Sequence, residues 1–248
     1  MTDKRRVDTL LVERGLAESR ARAQALVLAG LVWSAGQRLE KPGTSLAPDT
    51  PLEVRGREHP WVSRGGIKLA HALDHFAVDP AGAVALDIGA STGGFTDVLL
   101  ARGARRVYAV DVGHGQLAWK LRQDSRVTVL ERANARYLSR EQIPEAPDLI
   151  VCDASFISLT VVLPAALALA APAARLVALI KPQFEVGKGK VGKGGVVRDP
   201  ALHRDVCERI AAWLEAQPGW RVEGLTESPI QGPEGNIEFL VYARRMQA

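Results

Sequence analysis

A strand, a glycine-rich turn and a helix follow one another between residues 83 and 100. The apolar run at 83–86 predicts a buried strand, DIGASTGGF at 87–95 predicts a tight turn, and FTDVLL at 95–100 predicts a helix. Glycines let a ligand approach the backbone, and the start of the helix offers unpaired N–H groups. This order therefore predicts a parallel α/β unit that holds a nucleotide-like ligand at the turn.

The spacing of the glycines limits which class of nucleotide-like ligand the turn can bind. Dinucleotide sites follow GxGxxG, but here Gly89 is followed by Ala90 and Ser91, which weakens that interpretation without excluding it. Asp87, at the start of the turn, suits a ligand with a positively charged end. Asp111, after the next strand, 107–110, suits the hydroxyl groups of a ribose. These features favour S-adenosylmethionine. The residues predicted to bind it are Asp87, Gly89, Ala90, Ser91, Thr92, Gly93, Gly94, Phe95 and Asp111.

Composition places the chain among soluble globular proteins. It has 248 residues, of which 47% are hydrophobic and 24% charged, enough for one large domain or a medium domain plus a small one. No apolar run reaches the roughly 20 residues that span a membrane, and the first ten residues lack the apolar core of a secretion signal. The chain has only two cysteines, Cys152 and Cys207, and this predicts a protein of the reducing cytoplasm. Its five histidines are scattered without the spacing of metal ligands, so no metal centre is predicted.

Basic charge gathers in two places. The formal net charge is +4 and the pI about 9.3, which permits nucleic-acid binding without requiring it. Up to residue 22 there are six lysines and arginines against four acids, and the segment 181–204 again has six against two. This distribution indicates two basic segments at which RNA phosphates could bind.

The chain divides into two compositional regions. Residues 1–56 predict a small α+β domain, in which Ser19 caps the second of two short helices and short strands follow. Residues 57–62 predict a linker. Residues 63–248 predict a parallel sheet covered by helices on both faces, with an antiparallel pair at the end. The predicted strands of the sheet lie near 83–88, 107–112, 127–131, 148–153, 175–181, 221–225 and 237–242, after a helix at 65–75.

The basic residues have two interpretations. For any single arginine of the small domain a solvated helix face is the simpler one, but five together favour phosphate contacts. The segment 187–195 approaches the phosphate-loop pattern GxxxxGK[ST], but Gly194 replaces the hydroxyl residue and no helix follows at once. A basic loop that touches RNA and a plain surface loop both fit it. The predicted RNA-binding residues are Lys4, Arg5, Arg6, Arg14, Arg20, Arg22, Arg64, Lys188, Lys190 and Lys193.

Four charged residues are predicted to meet at the carboxyl edge of the sheet. Asp153 ends the strand DLIVCD and Lys181 ends LVALIK, while Glu238 begins the antiparallel last strand and Lys68 lies on the helix before the sheet. Lys68 could instead be a surface lysine, Asp153 a cap for a helix near residue 156, and Glu238 the solvent face of an edge strand. Lys181 needs a partner, and a buried lysine flanked by carboxylates can orient or deprotonate a hydroxyl group.

These residues resemble those of a known family. Lys68, Asp153, Lys181 and Glu238 match the ordered tetrad of FtsJ-like RNA ribose 2′-O-methyltransferases, and RVDTLLVERGL with SRARAQALVLAG resembles the S-four type of RNA-binding module. Together they resemble the TlyA family of rRNA 2′-O-methyltransferases, often labelled haemolysins. Thr92 stands where many FtsJ-like enzymes have proline. The motifs specific to the family are WVSRGGIKL, DIGASTGGFTDVLL, DVGHGQLAWKLR, SFISL and KPQFEVGKGKVGKGGVV.

The resemblance implies a mechanism and partners. It implies a Rossmann-like methyltransferase fold in which Lys181 positions a flipped cytidine 2′-hydroxyl and the other three tetrad members hold Lys181. It also places Asn134 and Ala135 near the adenine and gives Asp153 a contact with S-adenosylmethionine. The implied partner is ribosomal RNA or a ribosomal subunit, the implied state a monomer, and no metal or membrane is needed. Chains that stop soon after the final strand are associated with the large subunit alone, so the small subunit stays open.

Two other classes of function remain as hypotheses. The protein could bind RNA without turnover, as a ribosome assembly factor, or form pores as a haemolysin, although no segment suits a bilayer. It could also be a nicotinamide oxidoreductase, because the turn does not exclude a dinucleotide.

Overall fold

The computed structural model describes residues 4–17, 19–54, 59–187, 189–232 and 234–246. It divides into two compact units, Met1–Pro60 and Trp61–Ala248. The predicted linker, 57–62, lies across this division, and its residues 57 and 58 fall outside the described residues. Trp61 belongs to the larger unit, where it packs against the apolar core.

The smaller unit is an α+β fold with two small antiparallel sheets. Ser19 caps the second helix as predicted, because its hydroxyl accepts a hydrogen bond from the backbone N–H of Arg22 at 3.2 Å. Val7, Leu11 and Val27 lie in its core. Its elements are β1 (Arg5–Arg6), α1 (Val7–Glu13), α2 (Arg20–Leu28), β2 (Val32–Ser34), β3 (Gln37–Arg38), β4 (Ser45–Leu46) and β5 (Glu53–Val54).

The larger unit is a seven-stranded sheet, and this confirms the predicted α/β fold with a parallel sheet and an antiparallel end. Helices cover both faces of the sheet. The strands are β6 (Val84–Ile88), β7 (Arg106–Val110), β8 (Val127–Leu130), β9 (Leu149–Cys152), β10 (Arg175–Ile180), β11 (Trp220–Glu227) and β12 (Phe239–Arg245). The helices are α3 (Gly65–His75), α4 (Gly94–Ala101), α5 (Trp119–Arg122), α6 (Leu159–Val162), α7 (Pro164–Leu169), α8 (Pro182–Glu185) and α9 (Pro200–Glu215).

The strand order places a crevice at the centre of the sheet. The order is β11-β12-β10-β9-β6-β7-β8. After β6 the chain forms β7 and β8 on one side, and it then crosses back to form β9 and β10 on the other side, so the strand order reverses at β6. Ligands of open α/β sheets bind outside the carboxyl ends of the strands at such a switch point. β12 runs antiparallel beside β10 with Phe239 opposite Ile180, so Glu238, directly before β12, lies at the edge where Lys181 follows β10.

Burial on both faces explains why the strands are continuous apolar runs. All five residues of β6 are buried, and in β10 every residue after Arg175 is buried. Two layers of apolar side chains pack on the two faces, one including Ile150 and one including Val151. Fully burying a valine or isoleucine side chain contributes roughly 1.5–3 kcal/mol to the free energy of unfolding. These two layers are therefore the main source of the stability that fixes the carboxyl edge of the sheet.

Candidate active site

The four charged residues predicted from the sequence line one cavity of about 710 Å³. Lys68 and Glu238 form an ion pair whose side chains are 9% and 1% exposed. Nζ of Lys181 lies 2.6 Å from Oδ1 of Asp153, with side chains 8% and 20% exposed. Two buried lysine–carboxylate pairs therefore meet at the carboxyl edge, and within each pair the opposite charges offset the cost of desolvation.

The structure contradicts the simpler interpretations of Lys68, Asp153 and Glu238 as a surface lysine, a helix cap and a solvent-facing carboxylate. Lys68 is buried on α3 rather than a surface lysine, and Glu238 is buried rather than on a solvent face. Asp153 caps no helix, because the next helix, α6, begins at Leu159 and is capped by Ser158. Each charge is held by tertiary contacts that its local sequence does not show.

Lys181 is held in one orientation by several acceptors. Besides the Asp153 carboxylate, its ammonium donates to Oγ of Ser155 at 2.8 Å and lies 3.3 Å from the carbonyl oxygen of Asp153. A buried ammonium with fixed acceptors is a preorganised cation that can stabilise a developing negative charge. Ser155 was not among the predicted site residues, since a hydroxyl within an irregular segment carries no pattern.

The glycine turn fits tightly between its neighbours. Gly89 has a φ of +80°, and a Cβ there would lie 3.0 Å from the backbone of Ala154. A Cβ on Gly94 would lie 2.2 Å from Oγ of Ser63. Gly93 has a φ of +97° and packs against the side chain of Leu121, so its role is packing and turn geometry. Only glycine satisfies these positions without displacement of the backbone.

Replacing Gly89 by alanine should destabilise the larger unit by about 1–3 kcal/mol and weaken cofactor binding, because it adds strain and pushes on residue 154. Thermal unfolding and calorimetry with S-adenosylhomocysteine measure the two effects. Gly115→Ala is the matched control, since Gly115 has a φ of +70° but nothing lies within 4 Å of its Cβ position. Equal losses of stability and affinity in both variants would contradict the steric part of the prediction.

A second cavity, of about 360 Å³, lies beside the first and shares Gly89, Ser91 and Asp153 with it. Asp111, Asn134 and Ala135 line it, so these predicted residues lie together. Asp111 accepts hydrogen bonds from the backbone N–H groups of Ser91 at 2.8 Å and Gly113 at 2.6 Å. Asn134 accepts from the backbone N–H of Arg136. The predicted residues that line the first cavity are Gly89, Ala90, Ser91, Thr92, Gly94, Phe95 and Asp153.

Asp87, which is predicted to bind the cofactor, lines neither cavity. It is fully buried beneath the turn, where Oδ2 accepts a hydrogen bond from the Thr96 hydroxyl at 2.6 Å. Its other oxygen, Oδ1, has no partner among the described residues. Burial is the main cause that raises the pKa of Asp87 to about 7, and the charge of Asp153 adds to it.

The raised pKa of Asp87 predicts a pH dependence of stability. The unfolded state releases this proton near pH 3.8, whereas the folded state keeps it to about 7. The folded state therefore binds more protons in this window, and the unfolding free energy falls as pH rises through it, then levels off. Asp87→Asn should flatten this slope in urea unfolding followed across the window. Asp79→Asn, at an exposed aspartate, should keep the slope, and an unchanged slope in Asp87→Asn would refute the assignment.

Most arginines of the small unit already have intramolecular partners. Arg6 and Arg20 both pair with the buried Asp8, and these contacts hold the pKa of its carboxyl far below the usual range. Arg5 pairs with Glu13 at 2.9 Å, and Arg14 donates to the carbonyl oxygen of Thr50 at 2.7 Å. These arginines therefore stabilise the fold of the smaller unit. An RNA phosphate that contacted them would have to share their guanidinium groups with these intramolecular acceptors.

The other predicted RNA-binding residues that the structure describes are exposed. Lys4, Arg22, Lys190 and Lys193 lie on the surface, and Arg64 lines the cavity of the tetrad. Lys188 lies outside the described residues. The glycine-rich segment reaches the same cavity through Val191, Gly194 and Gly195.

Two further residues of the site were missed by sequence reasoning. Phe156 is 89% exposed with a φ of +64°, lines both cavities, and has its ring 5.0 Å from that of Phe184. Asn236 is 1% exposed; it accepts from the backbone N–H of Val197 and donates to the carbonyl oxygen of Gly195, both at 3.0 Å. Asn236 thus ties the glycine-rich segment to the segment that carries Glu238. SFISL was a motif that could have pointed to Phe156.

Comparison with known proteins decides the family. Residues 61–245 match the FtsJ-like methyltransferase family, and residues 5–50 match the S4 domain. The chain is 51% identical over 245 residues to the 16S/23S rRNA (cytidine-2′-O)-methyltransferase TlyA of Mycobacterium tuberculosis, covering 98% of this chain and 91% of that protein. The chain belongs to the FtsJ-like methyltransferases of the TlyA family. Its predicted family resemblance is thereby confirmed.

Other TlyA-like proteins carry a different name. Hemolysin A of Brachyspira hyodysenteriae is 40% identical over 238 residues, covering 96% of this chain and 98% of that protein. The solved structure of a candidate hemolysin from Streptococcus thermophilus is 44% identical, with a TM-score of 0.77, covering 100% of this chain and 90% of that one. Within the described residues of this FtsJ-like methyltransferase, no helix is both long and apolar enough to cross a membrane.

Proposed function

We propose that this methyltransferase transfers a methyl group from S-adenosylmethionine to the 2′-hydroxyl of a cytidine in ribosomal RNA. The observation that carries the proposal is the pair of buried lysine–carboxylate contacts on one cavity beside the glycine turn. The substrate named for the relative from Mycobacterium tuberculosis supports the choice of acceptor. Large-subunit RNA is the first candidate, and small-subunit RNA the second.

The residues present suit S-adenosylmethionine. The turn around Gly89 leaves no room for a side chain, and the second cavity carries Asp111 beside Asn134. Asp111 would hold the ribose hydroxyls, and Asn134 with Ala135 would lie against the adenine. When bound, the cofactor supplies an electrophilic methyl group on a sulfonium.

Lys181 would hold the ribose hydroxyl and stabilise the negative charge that develops on its oxygen. The oxygen would take the methyl group that the cofactor supplies, and the hydroxyl proton would pass to the carboxylate of Asp153 beside Lys181. Asp153 fixes Lys181 through the contact of 2.6 Å, and the pair of Lys68 with Glu238 closes the other wall. Orientation and preorganised charge would supply most of the acceleration.

The decisive experiment measures methyl transfer from labelled S-adenosylmethionine to large and small ribosomal subunits that lack the modification. Mass spectrometry of the digested RNA then identifies the modified nucleoside. Formation of 2′-O-methylcytidine in either subunit supports the proposal. RNA binding without transfer would favour an assembly factor, leakage of liposomes a haemolysin, and binding of NADH in place of S-adenosylmethionine an oxidoreductase.

Phe156 is expected to stack on a base of the RNA. Stacking of a base on an aromatic side chain contributes about 1–3 kcal/mol, so Phe156→Ala should raise KM for RNA by roughly 5- to 150-fold. Steady-state kinetics with ribosomal subunits measure this, and the affinity for S-adenosylmethionine should change less. Tyr137→Ala is the matched control, because Tyr137 is 70% exposed but lines neither cavity. A KM no higher than that of the control would exclude the stacking role.

A further inference from the structure

A third cavity, of about 450 Å³, lies on the opposite side of the segment that carries Glu238. Alternate residues of this segment face different ways: Glu238 lines the cavity of the tetrad, whereas Ile237 and Phe239 line the third cavity. The remaining apolar walls come from Pro200 and Leu225 on α9 and β11. A volume of this size is within the range of sites that hold small molecules or nucleotides.

Polar groups converge on the apolar cavity. His203 is 6% exposed, and its Nε2 donates to the carbonyl oxygen of Val197 at 2.9 Å. In the neutral ring Nδ1 can then accept a hydrogen bond, and within the described residues the bond from Nε2 is the one hydrogen bond that this side chain makes. Glu227 also lines the cavity and adds carboxylate acceptors. These groups suit a ligand that has a flat apolar body and N–H donors on its edge.

The rim of the cavity is cationic. Arg198 and Arg204 are both exposed, and within the described part of the chain neither has an intramolecular hydrogen bond or ion pair. They flank the start of α9, where the Asp199 carboxylate caps the helix by accepting from the backbone N–H of Ala201 at 2.8 Å, so the cationic charge of the rim comes from the two guanidinium groups. Two guanidinium groups of this kind fit phosphate oxygens.

We propose that the third cavity binds an unpaired nucleotide of the RNA substrate, separate from the nucleotide that is methylated. The base enters between Leu225 and Phe239 with its amino or imino N–H groups on His203 and Glu227, and its phosphate lies against Arg198 and Arg204. This proposal rests on the proposed function, because it takes the substrate to be RNA. Unpaired bases with splayed edges are the form in which RNA sequence is read.

The cavity is joined to the active site through Val197. The carbonyl oxygen of Val197 accepts the bond from His203, and its N–H donates to Asn236, which also binds Gly195. Gly195 lines the cavity of the tetrad. A nucleotide held against His203 therefore stabilises the wall of the active site, so correct RNA can assemble the site that acts on it.

Cys207 provides a reporter inside the third cavity. The chain has two cysteines, and Cys152 is fully buried, so Cys207 is the thiol expected to react in the folded protein. Burial raises the pKa of Cys207 to about 11, so a small thiosulfonate reagent at mildly alkaline pH is appropriate. We expect protein-free ribosomal RNA to slow the modification of Cys207 at least about fivefold, while an unrelated duplex RNA does not.

Removing the cationic rim supplies an independent test in the full-length enzyme. Arg198→Gln and Arg204→Gln should each raise KM for RNA at least about fivefold and lower the slope of log KM against log salt by about one. Their kcat and their affinity for S-adenosylmethionine should stay within about twofold of the wild type, since neither residue lines the tetrad cavity. Arg221→Gln is the matched control, because Arg221 lies exposed on β11 away from this cavity.

The outcomes separate the two proposals. If the wild type methylates RNA but both arginine variants match Arg221→Gln and RNA leaves Cys207 unprotected, the nucleotide site is refuted. Protection by intact subunits but not by protein-free RNA would also refute it and assign the cavity to a segment of a ribosomal protein. If the wild type methylates no RNA, the proposed function fails by itself, and protection of Cys207 still reports binding.

Discussion

Replacing Lys181 by methionine is expected to lower kcat for RNA methylation by about 10²- to 10⁴-fold. Methionine keeps the volume of the side chain but removes the ammonium that Asp153 and Ser155 hold in place. The hydroxyl would then lose both its positioning group and the charge that stabilises its developing oxyanion. Single-turnover kinetics with saturating RNA measure the effect on the chemical step.

The matched variant is Lys193→Met, which makes the same substitution at an exposed lysine of the glycine-rich segment. It should raise KM for RNA without the large fall in kcat, because a phosphate contact positions the substrate but takes no part in the reaction. Calorimetry with S-adenosylmethionine checks that both variants bind the cofactor. A folded Lys181→Met enzyme whose kcat stays within about threefold of the wild type would remove Lys181 from the mechanism.

Replacing Lys68 by methionine is expected to lower the unfolding free energy by about 3–5 kcal/mol. It leaves the carboxylate of Glu238, which is 1% exposed, without its partner. Replacing both residues, as Lys68→Met with Glu238→Leu, should recover most of that stability, because no unpaired charge then remains buried. Methyl transfer should not recover, since the apolar pair removes two of the four charges that line the cavity of the tetrad.

Urea unfolding of the two single variants, the double variant and the wild type gives the coupling energy of the pair. The exposed pair of Arg209 and Asp205, 3.1 Å apart and about half exposed on both sides, is the control. Asp205→Asn should change stability by no more than about 0.5 kcal/mol. A double variant that regains full activity would show that the buried pair has only a structural role.

The sequence predicted at which edge of the sheet the charged residues lie, but it did not predict which of them pair. Asp153 and Lys181 each follow an apolar run, and the carboxyl ends of parallel strands share one edge, so their proximity follows from local patterns. The contact between Lys68 and Glu238 joins residues 170 positions apart. No local pattern determines such a pair, because it depends on how α3 and the start of β12 pack on the sheet.

Asp87 shows that a local pattern does not specify how deeply a side chain is buried. An acid before a glycine turn was expected to face the ligand, but it lies beneath the turn and binds Thr96. Alternation along β6 directs successive side chains to opposite faces, and burial on both faces removes the polarity signal that would distinguish them. The exposure of Phe156 was hidden for the related reason that its segment is irregular.

The sequence by itself determined the order of strands and helices, the glycine turn and the family, since these depend on apolar periodicity and on residues close together in the chain. Only the tertiary structure decided which charges pair, which carboxylate is orphaned and where the third cavity opens. Those features arise from packing between α3, α9 and the strand ends. Contacts of that kind join distant segments, and their energies depend on burial that no local stretch of sequence specifies.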